Sequence, residues 1–480
     1  MPSSLTFRVL AFCLTLAVSD SQLAHLVSAQ DVSKSRPNVL FIAVDDLRPE
    51  IACFGAKHMH TPQLDRLASR GVLFERAYCM VPTCGASRAS LMTSVRPTRD
   101  RFTSYFAWAE KDAPAAVPLH THFKANGYHT VSLGKVFHNK DDHADGWSEP
   151  PWRSKLDQYQ KQAEYHADIK KHRKKWPKKK RHRGMPFEFA DADDSDYPDG
   201  ECTEKALEYL EKFSPASGQP FFLAVGFRKP HLPFNAPQKY WDLYDVEDID
   251  LPTNYHAPKD APKAAIHNSG ELRSYAGIHP SEPVDREMGR KLIHGYFACV
   301  SFVDAQIGRI LNQLDESGLS ENTIIVLWGD HGWQLGEHGM WNKHSCFETS
   351  MLTPLIVVTP GGEGRGTRTR GMVEFIDIYP SLCEMAGLGI PPHVEGNSFV
   401  ALLADPSLPG KPFAVGRFKE GDTIRSDNFR FSSYSAKNRT ILGEMLYDHR
   451  VDTAENVNRA TQERKMVAEL SKKLQELQGK

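Results

Sequence analysis

Asp45 and Asp46 stand side by side after the apolar stretch Asn38 to Val44, and Asp330-His331 follow the apolar stretch Thr323 to Trp328 in the same way. Adjacent carboxylates at the end of a buried strand are costly unless a cation or a hydrogen-bond network compensates them. Three carboxylates and one imidazole form an oxygen-rich donor set that suits calcium or magnesium, whereas zinc favours more His and Cys. Such dipeptides are common in loops, so each pair alone carries little; their equivalent positions at two strand ends carry more. Two further apolar stretches end in ionisable residues, Lys135 with His138 and Lys229 with His231. Cys84 opens the run Cys84-Gly85-Ala86-Ser87-Arg88 before a helical stretch whose N-terminus would favour an anion.

These residues can meet only if the strands before them lie side by side in one sheet. Strands are expected at Asn38 to Val44, Thr130 to Leu133, Phe221 to Gly226, Thr323 to Trp328 and Leu355 to Val358. Helices are expected at Thr61 to Ser69, Ser87 to Thr93, Thr203 to Phe213, Lys291 to Gly318 and Ile376 to Ala386, the last with Gly387 as its C-cap. Apolar, β-branched runs alternating with helical patterns argue for an α/β fold with a mainly parallel sheet sandwiched by helices. Ligands of open α/β sheets bind outside the carboxyl ends of the strands, where the four ionisable clusters would converge. A small strand-rich α+β subdomain is expected over 405–480, ending in an amphipathic helix at Glu463 to Leu477. The catalytic domain is then 30–404.

The chain has 480 residues, 40% of them hydrophobic and 25% charged, enough to bury a large core. A formal net charge of -1 gives no global reason to expect nucleic acid or an anionic membrane as partner. Arg8 precedes the apolar run Val9 to Val18, and Val27-Ser28-Ala29 offers a cleavage site, so residues 1–29 read as a removable export signal. An N-terminal membrane anchor is the alternative, but a membrane span needs roughly 20 apolar residues. Beyond the leader lie Cys53, Cys79, Cys84, Cys202, Cys299, Cys346 and Cys383. This odd set, irregularly spaced, resembles neither a disulfide scaffold nor a zinc-binding pair. Residues 139–200 read as a charged surface insertion around the basic run Lys170 to Arg183. A solvated arm is the plain reading of that run, and contact with a polyanionic substrate the alternative.

Cys84-x-Ala86-x-Arg88 matches the cysteine sulfatase signature, in which the cysteine is oxidised to formylglycine, and it lies downstream of VDDLRP by the usual interval. The chain resembles the sulfatases of the alkaline-phosphatase-like superfamily, and among them most closely the iduronate-2-sulfatases. Matching blocks run nearly end to end: LFIAVDDLRP at 40–49, GKVFH at 134–138, PFFLAVGFRKPHLPF at 220–234, YFACVSFVDAQIGRIL at 296–311 and GDHGWQLGEHGMWNKHS at 329–345.

The resemblance implies an alkaline-phosphatase-like fold and hydrolysis of sulfate esters, with 2-O-sulfate on a uronic acid or related sugar of a sulfated glycan as the substrate. It implies that Asp45, Asp46, Asp330, His331 and formylglycine-84 bind a divalent cation, calcium or else magnesium. Arg88 would orient the modified residue. Lys135 and Lys343 would hold sulfate oxygens, and His138 and His231 occupy the positions of the family's active-site histidines. His231 or Lys343 would protonate the departing sugar oxygen, and His138 would take the second hydroxyl's proton to expel sulfate. The implied partners are a sulfated carbohydrate and a formylglycine-generating enzyme, with export to a lysosome, a periplasm or the medium. Ala86 stands where the commoner motif has proline. Two rivals stay open: a phosphonate or phosphodiester hydrolase of the same superfamily, and a silent secreted glycan-binding protein.

Overall fold

The computed structural model describes residues 36–213 and 218–479; the proposed export signal at 1–29 lies outside them. Seven strands form the central sheet: β1 Asn38–Val44, β2 Val72–Phe74, β3 His129–Gly134, β4 Phe221–Phe227, β5 Thr323–Gly329, β6 Leu355–Val358 and β7 Thr367–Thr369. Their spatial order is β7-β2-β6-β5-β1-β4-β3. The four strands β5, β1, β4 and β3 run parallel, and β6 alone is antiparallel to its neighbours β5 and β2.

The helices used below are α1 Pro62–Arg70, α2 Cys84–Thr93, α3 Gln162–Lys175, α4 Pro198–Lys212, α5 Arg286–Glu316, α6 Ile378–Met385 and α7 Arg464–Leu477. Side chains of β1 alternate between two buried faces, as a covered parallel sheet requires. Leu40, Ile42 and Val44 pack into the core that includes Tyr296, Val300 and Ile307 of α5. Val39, Phe41 and Ala43 pack into the opposite core with Ala86, Ala89 and Met92 of α2 and Ile378 of α6.

Three helices begin earlier than their apolar periodicity suggests. All ten residues of α2 are buried, so it has no polar face to mark its period, and it starts at Cys84 rather than Ser87. Pro198 occupies the first turn of α4, where its missing N–H costs nothing. Asp285 caps α5 by accepting from the Met288 N–H at 2.8 Å. Gly387, past the end of α6, takes the left-handed conformation at φ +64.

Segment 139–200 is stitched to the sheet edge as well as charged. Trp152 exchanges backbone hydrogen bonds with Ser132 and Gly134 of β3, both 2.9 Å, and Phe187–Ala190 pairs with Phe234–Pro237. Trp147 is buried, while the lysines late in α3 are exposed.

After the sheet domain, β8 Ala414–Phe418, β9 Gly421–Arg425, β10 Phe429–Ser435 and β11 Ile441–Asp448 form an antiparallel sheet in sequential order. Helix α7 covers it, packing Val467, Leu470 and Leu474 against Ile424, Phe431 and Leu446. Buried Glu374 ties this unit to the end of α2. It accepts from Arg96 Nη2 at 2.6 Å, Lys411 Nζ at 2.6 Å and the Val415 N–H at 2.8 Å.

Burial alone would raise the Glu374 carboxyl, but Lys411 and Arg96 hold it down to about 2. A depressed carboxyl stabilises the fold above its unfolded value of 4.5 and loses that contribution as pH falls toward 2. Glu374→Gln is expected to cost about 3 kcal/mol at neutral pH, because it leaves two half-buried cations short of a partner. Urea unfolding of both proteins across this range would check it, with the difference between them shrinking as the pH drops.

Candidate active site

The parallel register places Val44 beside Phe227 and Gly329, and Gly134 beside Gly226, so the residues that follow these strands emerge together. Gly134 has φ +68, and a Cβ there would run into the Gly226 carbonyl. That freedom lets the chain turn sharply after β3 and bring Lys135 inward, its N–H donating to Gly226 O at 2.7 Å. Gly85 has a comparable role at the start of α2, where a side chain would strike the Tyr105 backbone.

Arg88 is wholly buried and ties several of these ends together. Its Nε donates to Asp330 Oδ2 at 2.9 Å and its Nη2 to Asp45 Oδ1 at 3.4 Å. Its Nη1 donates to the carbonyls of Lys135 and Val136, the latter at 2.9 Å. The Asp46 N–H donates to Asp330 Oδ1 at 3.0 Å, with Asp46 itself in the left-handed region at φ 61. His331 Nε2 lies 3.3 Å from Cys84 Sγ, 3.4 Å from Asp46 Oδ1 and 3.5 Å from Asp330 Oδ1.

Two lysines complete the cluster. Lys135 Nζ pairs with Asp45 Oδ2, and Lys343 Nζ lies 3.0 Å from Asp46 Oδ1 and 4.8 Å from the centre of the Trp333 ring. His231 Nε2 sits 3.9 Å from Asp46 Oδ2. His138 lines the same cavity as Lys135, with its buried Nδ1 lacking a hydrogen-bond partner. All ten residues singled out from the sequence are therefore in one site. Lys229 is not: its ammonium turns away from the cavity to the carbonyls of His231 and Pro233.

Glu271 is the main residue that sequence reasoning missed. Its two oxygens bridge His231 Nε2 and Lys343 Nζ, each at 3.1 Å. It lies in an irregular loop with no motif around it, so only the folded chain reveals it. Arg183, at the end of the basic run, also lines the cavity.

Burial raises the Asp46 carboxyl to about 7, Asp45 and Glu271 adding to the effect of burial while Lys343 and His331 oppose it. Burial also disfavours the charged form of Asp45, but Lys135, His231 and Arg88 hold its carboxyl well below the usual range. Burial, with Asp45, pushes the Cys84 thiol well above its ordinary value, so as a thiol it is a poor nucleophile. Burial and Lys135 lower His138 to about 3, which keeps the ring neutral.

Asp45, Asp46, Cys84 and His331 each offer a donor atom, all within 4.8 Å of one another. Two buried carboxylates beside an imidazole, with Asp330 adjoining, make an oxygen-bearing donor set that a hard divalent cation fits. The cluster opens into a chamber of about 500 Å³ lined by Cys84, Lys135, His138, His231, Glu271 and Lys343. A larger cavity of about 650 Å³, lined in part by His58, Tyr244 and Phe297, contains none of the ten residues and is separate from this chemistry.

A mixed, mainly parallel sheet covered by helices, with a charged cluster at its strand ends, is an architecture consistent with the alkaline-phosphatase-like fold. The sulfatase family model matches residues 37–388, and the chain belongs to that family, the sulfuric ester hydrolases. It is 34% identical to the iduronate 2-sulfatase of Mus musculus over 405 residues, covering 75% of this chain and 71% of the relative. Against the iduronate 2-sulfatase of Homo sapiens it is 34% identical over 435 residues, covering 78% and 76%. Among solved structures, the phosphonate monoester hydrolase of Agrobacterium radiobacter superposes with TM-score 0.74 at 22% identity, covering 92% of this chain and 96% of that one.

Arg88→Ala would strand Asp45 and Asp330 without their shared cation, and a loss of about 4 kcal/mol is expected from breaking so buried a pair. Arg88→Lys should recover only part of it, since one ammonium cannot reproduce the guanidinium's spread of donors. Equilibrium unfolding in urea measures both.

Proposed function

We propose that this protein hydrolyses 2-O-sulfate esters on a uronic acid or related sugar of a sulfated glycan, using formylglycine at position 84 and a divalent cation, calcium or else magnesium. The observation that carries this reading is the position of Cys84. It stands at the start of a buried helix, 3.3 Å from His331 Nε2, and opens into a chamber whose wall also carries Lys135, Lys343, His138 and His231. The buried thiol is too basic to react as such, which favours a modified residue as the nucleophile. The two iduronate 2-sulfatase relatives support the sugar class.

As a hydrated aldehyde, residue 84 would carry two geminal hydroxyls: one attacks sulfur as the S–O bond to the sugar breaks, and the other later loses its proton so that the sulfate is expelled and the aldehyde returns. Asp45, Asp46, Asp330 and His331 would hold the cation, which when bound lends Lewis acidity and offsets negative charge. Lys135 and Lys343 are poised to hold sulfate oxygens as charge grows on them, and Arg88 fixes the acidic side chains from behind. His231 or Lys343 delivers a proton to the leaving sugar oxygen, with Glu271 bridging the two. Neutral His138 can accept the second hydroxyl's proton.

The remaining features fit an exported enzyme. The leader at 1–29 has the pattern of an export signal, and maturation would need a formylglycine-generating enzyme. Among the described residues no helix is long and apolar enough to cross a membrane.

Peptide mass spectrometry across position 84 of protein from its native host should find the aldehyde, and a 2-sulfated iduronate disaccharide should release sulfate. Cys84→Ala is expected to reduce that release on the order of 10⁴-fold. A thiol at position 84 in fully active protein, or an aryl phosphonate hydrolysed faster than any sulfate ester, would overturn the reading.

Cation dependence provides a separate check. Exhaustive chelation should abolish sulfate release while leaving the fold's circular dichroism intact, and activity should return when calcium or magnesium is added back. Activity that survives chelation, with no bound metal detectable by elemental analysis, would remove the cation from the proposal.

A further inference from the structure

Beside the Cys84 chamber lies a second one of about 430 Å³, and the two share Lys135, His138, Arg183 and His231 along their walls. The second chamber is unusual in charge. Three guanidinium groups line it, those of Arg153, Arg183 and Arg228, while Asp45 is its only acidic lining residue and is already matched by Lys135 and Arg88.

None of the three arginines forms an ion pair among the described residues. Arg153 donates to the carbonyls of Gly134, Phe137 and His138, neutral acceptors that fix the side chain and leave its charge unbalanced. Arg183 donates to the Tyr275 hydroxyl at 2.6 Å and lies over the Tyr275 ring. Asp199 accepts the backbone N–H of Arg228 rather than pairing with its guanidinium. Burial lowers Arg153 to about 10, with Arg228 and Arg88 adding, as expected where like charges gather out of water.

Three guanidinium groups in one cavity, none of them in an ion pair among the described residues and two of them held by hydrogen bonds, form a receptor for a carboxylate or sulfate, which arginine binds through paired N–H donors. Tyr159, Tyr165 and Tyr275 also line the chamber and give it aromatic surface against which a sugar can pack. We propose that this second chamber is an anion subsite for a second negatively charged group on the substrate, a uronate carboxylate or a further sulfate, engaged while the scissile sulfate sits at residue 84. The inference rests on the sulfatase reading above and adds to it the basis for choosing among sulfated sugars. It also gives part of the basic run a definite role, since Arg183 is its last residue.

The test varies Arg228, whose side chain makes no hydrogen bond or ion pair among the described residues. Wild type, Arg228→Ala and Arg228→Lys would be assayed on three sulfate esters: a 2-sulfated uronate disaccharide, its carboxyl-reduced counterpart and a disulfated hexosamine. In the wild type the preferred anionic substrate should exceed the carboxyl-reduced one in kcat/KM on the order of tenfold or more, mainly through KM. That ratio should collapse toward one in Arg228→Ala and return in part in Arg228→Lys. Whichever anionic substrate loses its advantage identifies carboxylate or sulfate as the group held.

A parallel calorimetric titration separates this idea from the sulfatase reading, because it needs no turnover. In a Cys84→Ala background, binding of the uronate disaccharide should weaken when Arg228→Ala is added, while binding of the carboxyl-reduced form changes less; a disulfated sugar replaces the uronate if sulfate is the group held. Equal affinities for charged and reduced sugars, or a ratio insensitive to Arg228, would overturn the anion subsite whatever the turnover assays give. Failure of the wild type to cleave any sulfate ester would instead count against the proposed function.

Discussion

Four carboxylates, Asp45, Asp46, Asp330 and Glu271, lie at or beside the strand ends, the first three buried, and holding them together there is the central constraint on this fold. Arg88 meets much of that demand. It reaches from α2 across to the ends of β1 and β5 and to the turn after β3, so one buried guanidinium fixes a helix on three segments of the sheet. A charge so placed is costly to bury, and it is tolerable because every direction in which it donates meets a carboxylate or a carbonyl. The lysines complete the balance on the cavity side. Lys135 pairs with Asp45 and Lys343 with Asp46 and Glu271, and both lysines line the Cys84 chamber.

Much of this arrangement was legible in the sequence because strand and charge are adjacent in the chain. Asp45-Asp46 and Asp330-His331 directly follow apolar runs, and parallel pairing in register then leaves no choice but to bring them together. The cysteine run was legible for another reason, since its spacing is a family signature. Helix α2 itself was read three residues short: buried on all sides, it carries no amphipathic period to mark its first turn. Lys229 was misgrouped with His231 because neighbours in sequence can point in opposite directions across a turn, and its ammonium satisfies two loop carbonyls instead.

Glu271, Arg153 and Arg228 were not legible, and the reason is physical. Glu271 comes from a loop without regular structure, held in place by long-range contacts such as the Leu272 N–H to Asn342. Arg153 and Arg228 look like ordinary surface cations in sequence, and only the cavity makes them notable. The basic run shows both tendencies. Its lysines late in α3 are exposed, as a solvated arm would have them. Its last residue, Arg183, is drawn inward because the backbone there bonds to the loop at 274–276, placing it with Arg181 on the wall of the Cys84 chamber and leaving most of the others outside.

The C-terminal sheet bears on the chemistry through a single turn. β8 ends at Phe418 and the turn to β9 begins with Lys419; Phe418 stacks on His344 with ring centres 5.2 Å apart, and Lys419 lines the Cys84 chamber. His344 follows Lys343 directly, so the position of that turn bears on the lysine that faces Asp46 and Glu271. The Glu374 cluster fixes β8, through Val415, to the end of α2, the helix that begins with Cys84. One wall of the chamber and the residue at its floor are thus held in register by two contacts of the same small sheet. Sequence change in the C-terminal unit can therefore reshape the cavity without touching any residue that carries out the reaction.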